Sequence, residues 1–171
     1  MKRILVLLFL GLLAVAAFAQ DNAVPKASVP GGVYQHWLDE DVIYIIAPEE
    51  RAAFLRLATN DERDQFIVQF WLNRDATPDT PKNEFKEEHY RRIAYSNENL
   101  ADSLPGWKTD RGRVYIIEGP PETIRSVVPQ SRVNAKDHRE QIWVYPSGKR
   151  FRFVDACDCG EFRLPPLSSI D

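Results

Sequence analysis

The feature that most constrains the fold of this 171-residue chain is a turn-rich segment, Gly106-Trp107-Lys108-Thr109-Asp110, with Gly112 close behind it. Glycine adopts a positive φ at no steric cost. The side-chain oxygens of Thr109 and Asp110 can accept hydrogen bonds from nearby backbone N–H groups. Trp107 adds a large apolar ring with one N–H donor. The pattern predicts a turn clamped by an aromatic anchor. A ligand-facing loop is the alternative, because loops on a rigid scaffold often carry function.

The residues that follow this turn predict the first strand of a sheet. Arg113 to Glu118 is largely apolar, and Gly119-Pro120-Pro121 ends it in a rigid turn. Since proline has no N–H to donate, this second turn is not a phosphate-binding loop. Arg111 can pair with Asp110 or with acids on an upstream helix, so we count Arg111, Gly119 and Pro120 among the candidate structural or binding residues.

Upstream of the motif, residue spacing predicts three helices: Pro48 to Ala58, Glu62 to Asn73 and Asn83 to Ala101. Apolar residues in the second and third recur at helical spacing and form one stripe on each. Arg74 lies at the end of the second helix, where a cation is favoured. It is predicted to clamp that helix end, and it can also hydrogen-bond the following loop, Thr77 to Thr80.

Downstream, the spacing changes to that of strands. Glu140 to Tyr145, Arg150 to Asp155 and Glu161 to Leu164 are short and rich in β-branched or aromatic residues. Pro146 to Lys149 predicts a hairpin turn, and Ile124 to Arg139 lacks a clear period and is predicted to be a loop. The predicted fold class is therefore α+β, with about three N-terminal helices followed by a small antiparallel sheet.

The N-terminus has the organisation of a cleavable signal peptide. Lys2 and Arg3 precede an apolar run from Ile4 to Phe18, and Ala17-Phe18-Ala19 predicts cleavage between Ala19 and Gln20. The run is shorter than the ~20 residues that a membrane span needs. We expect a periplasmic or secreted product that does not span a membrane after cleavage, with an uncleaved N-terminal anchor as the alternative.

The remaining chain is predicted to form one domain. Residues 20–33 contain several Pro and Gly and predict a flexible leader, residues 34–166 the domain, and residues 167–171 a tail. Removal of residues 1–19 leaves 20 basic residues against 25 acidic ones. This acidic balance argues against non-specific binding to nucleic acid, which needs a basic surface.

The titratable side chains do not form a recognisable catalytic or metal-binding motif. Glu84, Glu87, Glu88 and His89 share one predicted helix, but His89 lies on its apolar side and is expected to be a core residue with one hydrogen bond. With only three His in the chain, no His-rich metal site is predicted, and no cofactor is expected.

Cys157-Asp158-Cys159-Gly160 allows several interpretations. An exported chain meets an oxidising compartment, which favours a Cys157–Cys159 disulfide that tightens the turn. Two cysteines at this spacing can close only a small ring. Free or intermolecular thiols, a redox-active disulfide and a thiolate pair that binds a soft metal remain alternatives.

Several segments together resemble the GWxTD domain, a family of secreted or periplasmic proteins from several bacterial phyla. Gly106 to Asp110 matches the motif that gives the family its name. Phe70 to Asp75 and Asn83 to Tyr95 resemble its helical portion, and Gly119 to Pro121 resembles the turn that follows the motif. The pair in Cys157-Asp158-Cys159 departs from the family pattern. The resemblance implies a fold and a compartment, since the family has no established biochemical activity.

Two functions follow as expectations. The first is an exported, non-catalytic module that binds an envelope protein or polymer, because no catalytic constellation is evident and many aromatic residues lie outside clear core periods. The alternative is an envelope hydrolase that uses Asp110 with Glu88 or Glu118. A carboxylate pair of that kind needs one raised pKa and a separation of about 5–9 Å across a cleft.

Overall fold

The structure is a computed structural model that describes residues 31–128 and 138–165. The predicted signal peptide, nearly all of the predicted leader and the C-terminal tail lie outside these residues. None of the helices in the described ranges is long and apolar enough to cross a membrane.

Helices make up the N-terminal two thirds of the described chain. A capping box starts the helix Asn60–Leu72, where Thr59 Oγ1 accepts from the N–H of Glu62 and the Glu62 carboxylate accepts from the N–H of Thr59. Asn83 caps the helix Glu84–Asn99 by accepting from the N–H of Lys86. The helices are α1 (Val33–His36), which continues as a π-helical turn (Trp37–Asp41), α2 (Pro48–Leu55), α3 (Asn60–Leu72), α4 (Glu84–Asn99) and α5 (Asp110–Glu118), with a 3₁₀ turn at Gly106–Lys108.

A three-stranded antiparallel sheet follows the helices, with strand order β1-β2-β3. The strands are β1 (Thr123–Val127), β2 (Arg139–Val144) and β3 (Arg150–Asp155). Trp143 on β2 lies opposite Ile124 on β1 and Phe151 on β3. The turn between β2 and β3 places Gly148 at φ 83°, a conformation that favours glycine.

Two aromatic-rich clusters form the core, and α4 runs between them. The first joins the N-terminal helices through Trp37, Leu38, Val42, Phe54, Phe70 and Trp71. The second joins α5 to the sheet through Leu100, Val114, Tyr115, Trp143, Tyr145, Phe153 and Phe162. Tyr90 of α4 packs against the first cluster, and Leu100, directly after α4, belongs to the second.

The predicted α+β class is confirmed, but the helix count is not. Five α-helices precede the sheet in the described ranges, where about three were predicted. The segment Arg113 to Glu118, predicted as a strand, lies in α5. A short apolar run does not distinguish a buried strand from a buried helix, and here Thr109 caps the N-terminus of a helix.

Two further predictions about the sheet were wrong. The segment predicted as a loop from Ile124 to Arg139 contains most of β1, and the part at 129–137 lies outside the described residues. All five residues of β1 are exposed, so its sequence lacks the apolar alternation that signals a half-buried strand. Glu161 to Leu164 forms one isolated bridge, between Val154 and Arg163, in place of a strand.

Candidate functional site

Thr109 is the centre of the motif's hydrogen bonding. The residue is fully buried. Its Oγ1 accepts from the N–H of Gly112 at 2.9 Å, which caps the N-terminus of α5. The same hydroxyl lies 2.9 Å from the carbonyl oxygen of Gly106 and 3.1 Å from that of Leu100, to which it can donate. One side chain therefore joins the start of α5 to the chain that leaves α4.

The motif glycines are required by close backbone contact. A Cβ on Gly106 would lie 1.7 Å from the carbonyl oxygen of Ser96, and one on Gly112 would lie 1.8 Å from that of Gly106. Neither glycine has a positive φ, so the conformational reason predicted for them is wrong. They allow the 3₁₀ turn to pack directly against α4 and α5.

Trp107 is an internal anchor. The residue is buried, with 9% of its surface exposed. Its backbone N–H donates to Asn97 Oδ1 at 3.1 Å, and its carbonyl accepts from the hydroxyl of Tyr44 at 2.9 Å. The ammonium of Lys108 lies 4.7 Å from the ring centroid. The residue thus connects α4 to the loop between the π-helical turn and α2.

Asp110 holds the C-terminal segment of the domain. Its Oδ2 accepts from the N–H of Leu164 at 2.8 Å, and its Oδ1 lies 3.4 Å from the guanidinium of Arg113. Arg111 can pair with an acid on the sequence alone; in the structure its guanidinium stacks over Phe162 at 4.5 Å, and burial lowers its pKa. The motif acid therefore stabilises a turn and a chain end.

Gly119 and Pro120 end α5. Gly119 has a φ of 87° and donates its N–H to the carbonyl of Tyr115 at 2.9 Å. Its own carbonyl accepts from the hydroxyl of Tyr145 at 3.1 Å, which ties the helix end to β2. Pro120 is exposed. Both residues therefore have a structural role in the turn that ends α5.

Arg74 follows the C-terminus of α3. It donates to the carbonyl of Phe70 at 3.0 Å and to that of Ile45 at 3.1 Å, and its guanidinium lies 3.6 Å from the Phe70 ring centroid. It also pairs with Glu50 at 2.6 Å, and this hydrogen bond lowers the pKa of that carboxyl. These contacts link α2 and α3 and do not involve the loop from Thr77 to Thr80.

The carboxylates of the hydrolase hypothesis lie at the two ends of α5 and in ion pairs. Asp110 and Glu118 occupy opposite ends of α5, about 12 Å apart along its axis. Glu118 is held by Lys149 at 2.7 Å. Burial raises the pKa of Glu88, but hydrogen bonds from Arg92 and Arg91 outweigh it and hold that pKa below its usual range. A general acid needs the opposite shift.

A surface cavity of about 180 Å³ lies between α4, α5 and the segment before α2. We call it the α4–α5 groove. Two large apolar side chains at its wall remain accessible, Phe85 at 40% and Ile117 at 48% exposure. The lining residues are Ile45, Phe85, Glu88, His89, Arg92, Ile116 and Ile117.

The polar side chains of the groove have partners within the domain. His89 is buried, and its Nε2 lies 2.6 Å from the carbonyl oxygen of Asp41. Burial lowers the pKa of His89, so the imidazole is neutral at neutral pH and Nε2–H is the donor. Arg92 donates to the carboxylate of Glu88 at 2.7 Å and to the carbonyl of Ile116 at 3.2 Å. What the groove offers to a partner is therefore mainly apolar surface.

The cysteine pair lies directly after β3. The sulfurs of Cys157 and Cys159 are bonded to each other, their Cα atoms are 5.2 Å apart, and both residues are exposed. Asp155, fully buried, accepts hydrogen bonds from the N–H groups of Cys159 and Gly160. Pairing in the exported protein remains a prediction.

A family model for the GWxTD domain matches residues 19–156. This chain belongs to the GWxTD domain family. The match covers the motif and all the helices and strands that the structure describes, and it ends one residue before Cys157. Comparison with curated proteins and with solved structures returns no match.

Sequence reasoning did not find the groove of this GWxTD domain protein. Its walls come from three separate segments, around Ile45, from Phe85 to Arg92 and at Ile116–Ile117. Only the helical stripe that contains Phe85 and His89 was visible in the sequence. Ile116 and Ile117 were assigned to a strand, so their position beside α4 could not be anticipated.

Proposed function

We propose that this GWxTD domain protein is an exported, non-catalytic binding module of the bacterial cell envelope, and that it binds another protein through the α4–α5 groove. The observation that carries the proposal is the groove itself: an apolar depression with exposed walls at Phe85 and Ile117. Exposed apolar surface of this kind is typical of interaction sites.

The size of the groove favours a protein side chain as its occupant. Small-molecule and cofactor sites usually enclose about 300–1,000 Å³, and this groove encloses about 180 Å³. A volume of that order accommodates one large aliphatic or aromatic side chain. Anchors of that type, seated in desolvated pockets, contribute much of the affinity in protein–protein interfaces.

The charges around the groove favour an uncharged anchor. Glu88 is paired with Arg91 at 2.6 Å and with Arg92 at 2.7 Å. His89 is neutral because burial lowers its pKa. A charged partner group would have to be desolvated without gaining a free counter-ion, which costs free energy. We therefore expect an apolar residue of an envelope protein to occupy the site.

The test compares two arginine substitutions at exposed apolar positions. Ile117→Arg places a bulky charge at the groove, and Val68→Arg, at a residue 59% exposed on α3, is the matched control away from it. Both positions are exposed, so we expect each variant to unfold within about 0.5 kcal/mol of wild type. Tagged wild type and variants are used to capture proteins from the cognate envelope fraction, and the captured proteins are quantified by mass spectrometry.

The expected result is a partner that wild type and Val68→Arg retain equally and that Ile117→Arg loses by about tenfold or more, the effect of an anchor worth at least ~1.4 kcal/mol. Equal retention by all three proteins would contradict the groove as the binding surface. Loss with both variants would show that the capture depends on general surface properties.

A further inference from the structure

The turn after β3 brings three potential metal ligands together. The carboxylate of Asp155 and the sulfurs of Cys157 and Cys159 all lie within 4.8 Å of one another. Both cysteines are on the surface, whereas Asp155 is fully buried beneath them. The cluster lies outside the α4–α5 groove and has no part in the binding function proposed above.

The carboxylate of Asp155 is fixed by hydrogen bonds that leave a lone-pair site on Oδ1 available to a metal ion. Its Oδ1 accepts from the N–H of Cys159 at 3.1 Å, and its Oδ2 accepts from the N–H of Gly160 at 2.9 Å and pairs with Arg139. A carboxylate has about four lone-pair sites. Oδ1 lies 3.3 Å from the sulfur of Cys157 and uses one of its sites in these contacts. A second site on Oδ1 therefore remains beside that sulfur.

We propose that reduction of the Cys157–Cys159 disulfide creates a zinc site whose protein ligands are Cys157, Cys159 and Asp155. The reductant is a dithiol: one of its thiolates attacks a cysteine sulfur, the S–S bond breaks and a mixed disulfide forms. The other cysteine leaves as a thiolate in this first step. The second thiol of the reductant then attacks the reductant's own sulfur in the mixed disulfide and displaces the cysteine that was attacked. The reductant leaves as a disulfide, two electrons have passed to the protein, and both cysteines are thiols.

Zinc replaces the two thiol protons. Each cysteine binds as a thiolate, its proton passes to solvent, and Asp155 binds through Oδ1, with water in the fourth position. Tetrahedral bonds of about 2.3 Å to sulfur and 2.0–2.2 Å to oxygen place such ligand atoms roughly 3.5–3.8 Å apart. Asp155 Oδ1 already lies 3.3 Å from the Cys157 sulfur. The two sulfurs, bonded in the oxidised protein, must move apart to reach that spacing once the S–S bond is broken. Thiolates select zinc over magnesium and calcium.

The structure makes the redox step accessible. Exposure of both cysteines lets a dithiol approach either sulfur. Since the linked residues are only two apart in sequence, the disulfide constrains a very short loop, and its loss returns little chain entropy to the unfolded state. The turn can therefore change between the oxidised and the zinc-bound form while the fold is retained.

The test measures zinc binding by the purified protein in both redox states. The protein is reduced with a phosphine under nitrogen, titrated with Zn²⁺ against a chromophoric chelator, and examined by native mass spectrometry. We expect one zinc per monomer for the reduced protein and none for the oxidised protein. Cys157→Ser should lower the affinity about 100-fold or more, and Asp155→Asn about tenfold.

Asp158→Asn is the matched control for the carboxylate ligand. Asp158 lies in the same turn, has a φ of 56° and pairs with Arg139. Asparagine tolerates that conformation, so zinc affinity should stay within about twofold of wild type. Circular dichroism and thermal melts verify folding. If Asp155→Asn does not fold, the zinc affinity of Cys157→Ser, a substitution at an exposed position, tests whether these residues bind the metal.

Three results would overturn the proposal. One is a reduced wild-type protein that binds no zinc in competition with the chelator. Another is zinc binding that persists in the Cys157→Ser, Cys159→Ser double variant. The third is zinc found only in dimers, which would place the ligands on two chains.

Discussion

Replacing Thr109 with valine would remove the hydroxyl that caps α5 while it keeps the shape of the side chain. The oxygen has two tasks in the structure: it accepts from the N–H of Gly112 at 2.9 Å, and it can donate to the carbonyl of Leu100 at 3.1 Å. The N–H of Thr109 still reaches the carbonyl of Gly106, so that acceptor stays satisfied. The valine variant therefore leaves one donor and one acceptor without their partner.

The cost follows from these two groups. Loss of an N-cap lowers stability by about 0.5–2 kcal/mol, and a buried polar group without a partner costs about 1–3 kcal/mol. We expect Thr109→Val to lower the free energy of unfolding by about 2–4 kcal/mol. For a domain of this size that corresponds to a fall in melting temperature of roughly 5–15 °C.

Thr109→Ser is the control, because it keeps the oxygen and removes only a methyl group. Its expected cost is about 1 kcal/mol. Chemical denaturation followed by circular dichroism gives both free energies on one scale. A valine variant as stable as the serine variant would refute the argument that the hydroxyl holds α5 to the end of α4.

Three further predictions concern the motif and the groove. Gly106→Ala should lower stability by about 3 kcal/mol or more, because its Cβ meets backbone at 1.7 Å, whereas Gly31→Ala, with open space around it, should have little effect; thermal melts compare the two. Asp110→Ala should cost about 1–2 kcal/mol and speed amide exchange at Leu164, whose N–H it binds; hydrogen-exchange mass spectrometry measures this, and unchanged exchange would contradict the contact. Burial lowers the pKa of His89 from its ordinary value of 6.5, so the unfolded state binds more protons below that pH. The free energy of unfolding should therefore be unaffected by His89 above pH 6.5 and fall as the pH drops through the folded pKa. His89→Gln should flatten that part of the pH–stability curve, and an equal slope in both proteins would refute the argument.

The sequence predicted the elements that local pattern determines. Periodic apolar stripes located α3 and α4, and the β-branched and aromatic residues between Arg150 and Asp155 located β3. The local pattern gave the wrong prediction at α5, because the apolar run from Val114 to Ile117 is too short to show whether its period is that of a strand or a helix. The deciding contacts there are non-local: Thr109 reaches Leu100, and Gly106 packs against Ser96.

Within the candidate site, the sequence could identify residues but not their roles. Arg74 was predicted at a helix end and lies there, although its carboxylate partner, Glu50, is 24 residues away. The sequence allowed Arg111 to pair with an acid, and in the structure it stacks on Phe162, a residue near the C-terminal end of the domain. The groove depends on three segments meeting in space, which no local pattern encodes.

The measurement that tests the central claim most directly is site-specific photo-crosslinking in the cell envelope. A photoreactive amino acid is placed at Ile117, at the groove, or at Lys108, the exposed variable residue of the motif. If the motif maintains the fold and the groove binds a partner, the probe at 117 crosslinks to a partner protein and the probe at 108 does not. Crosslinking from 108 alone would contradict the account and make the motif loop the binding surface.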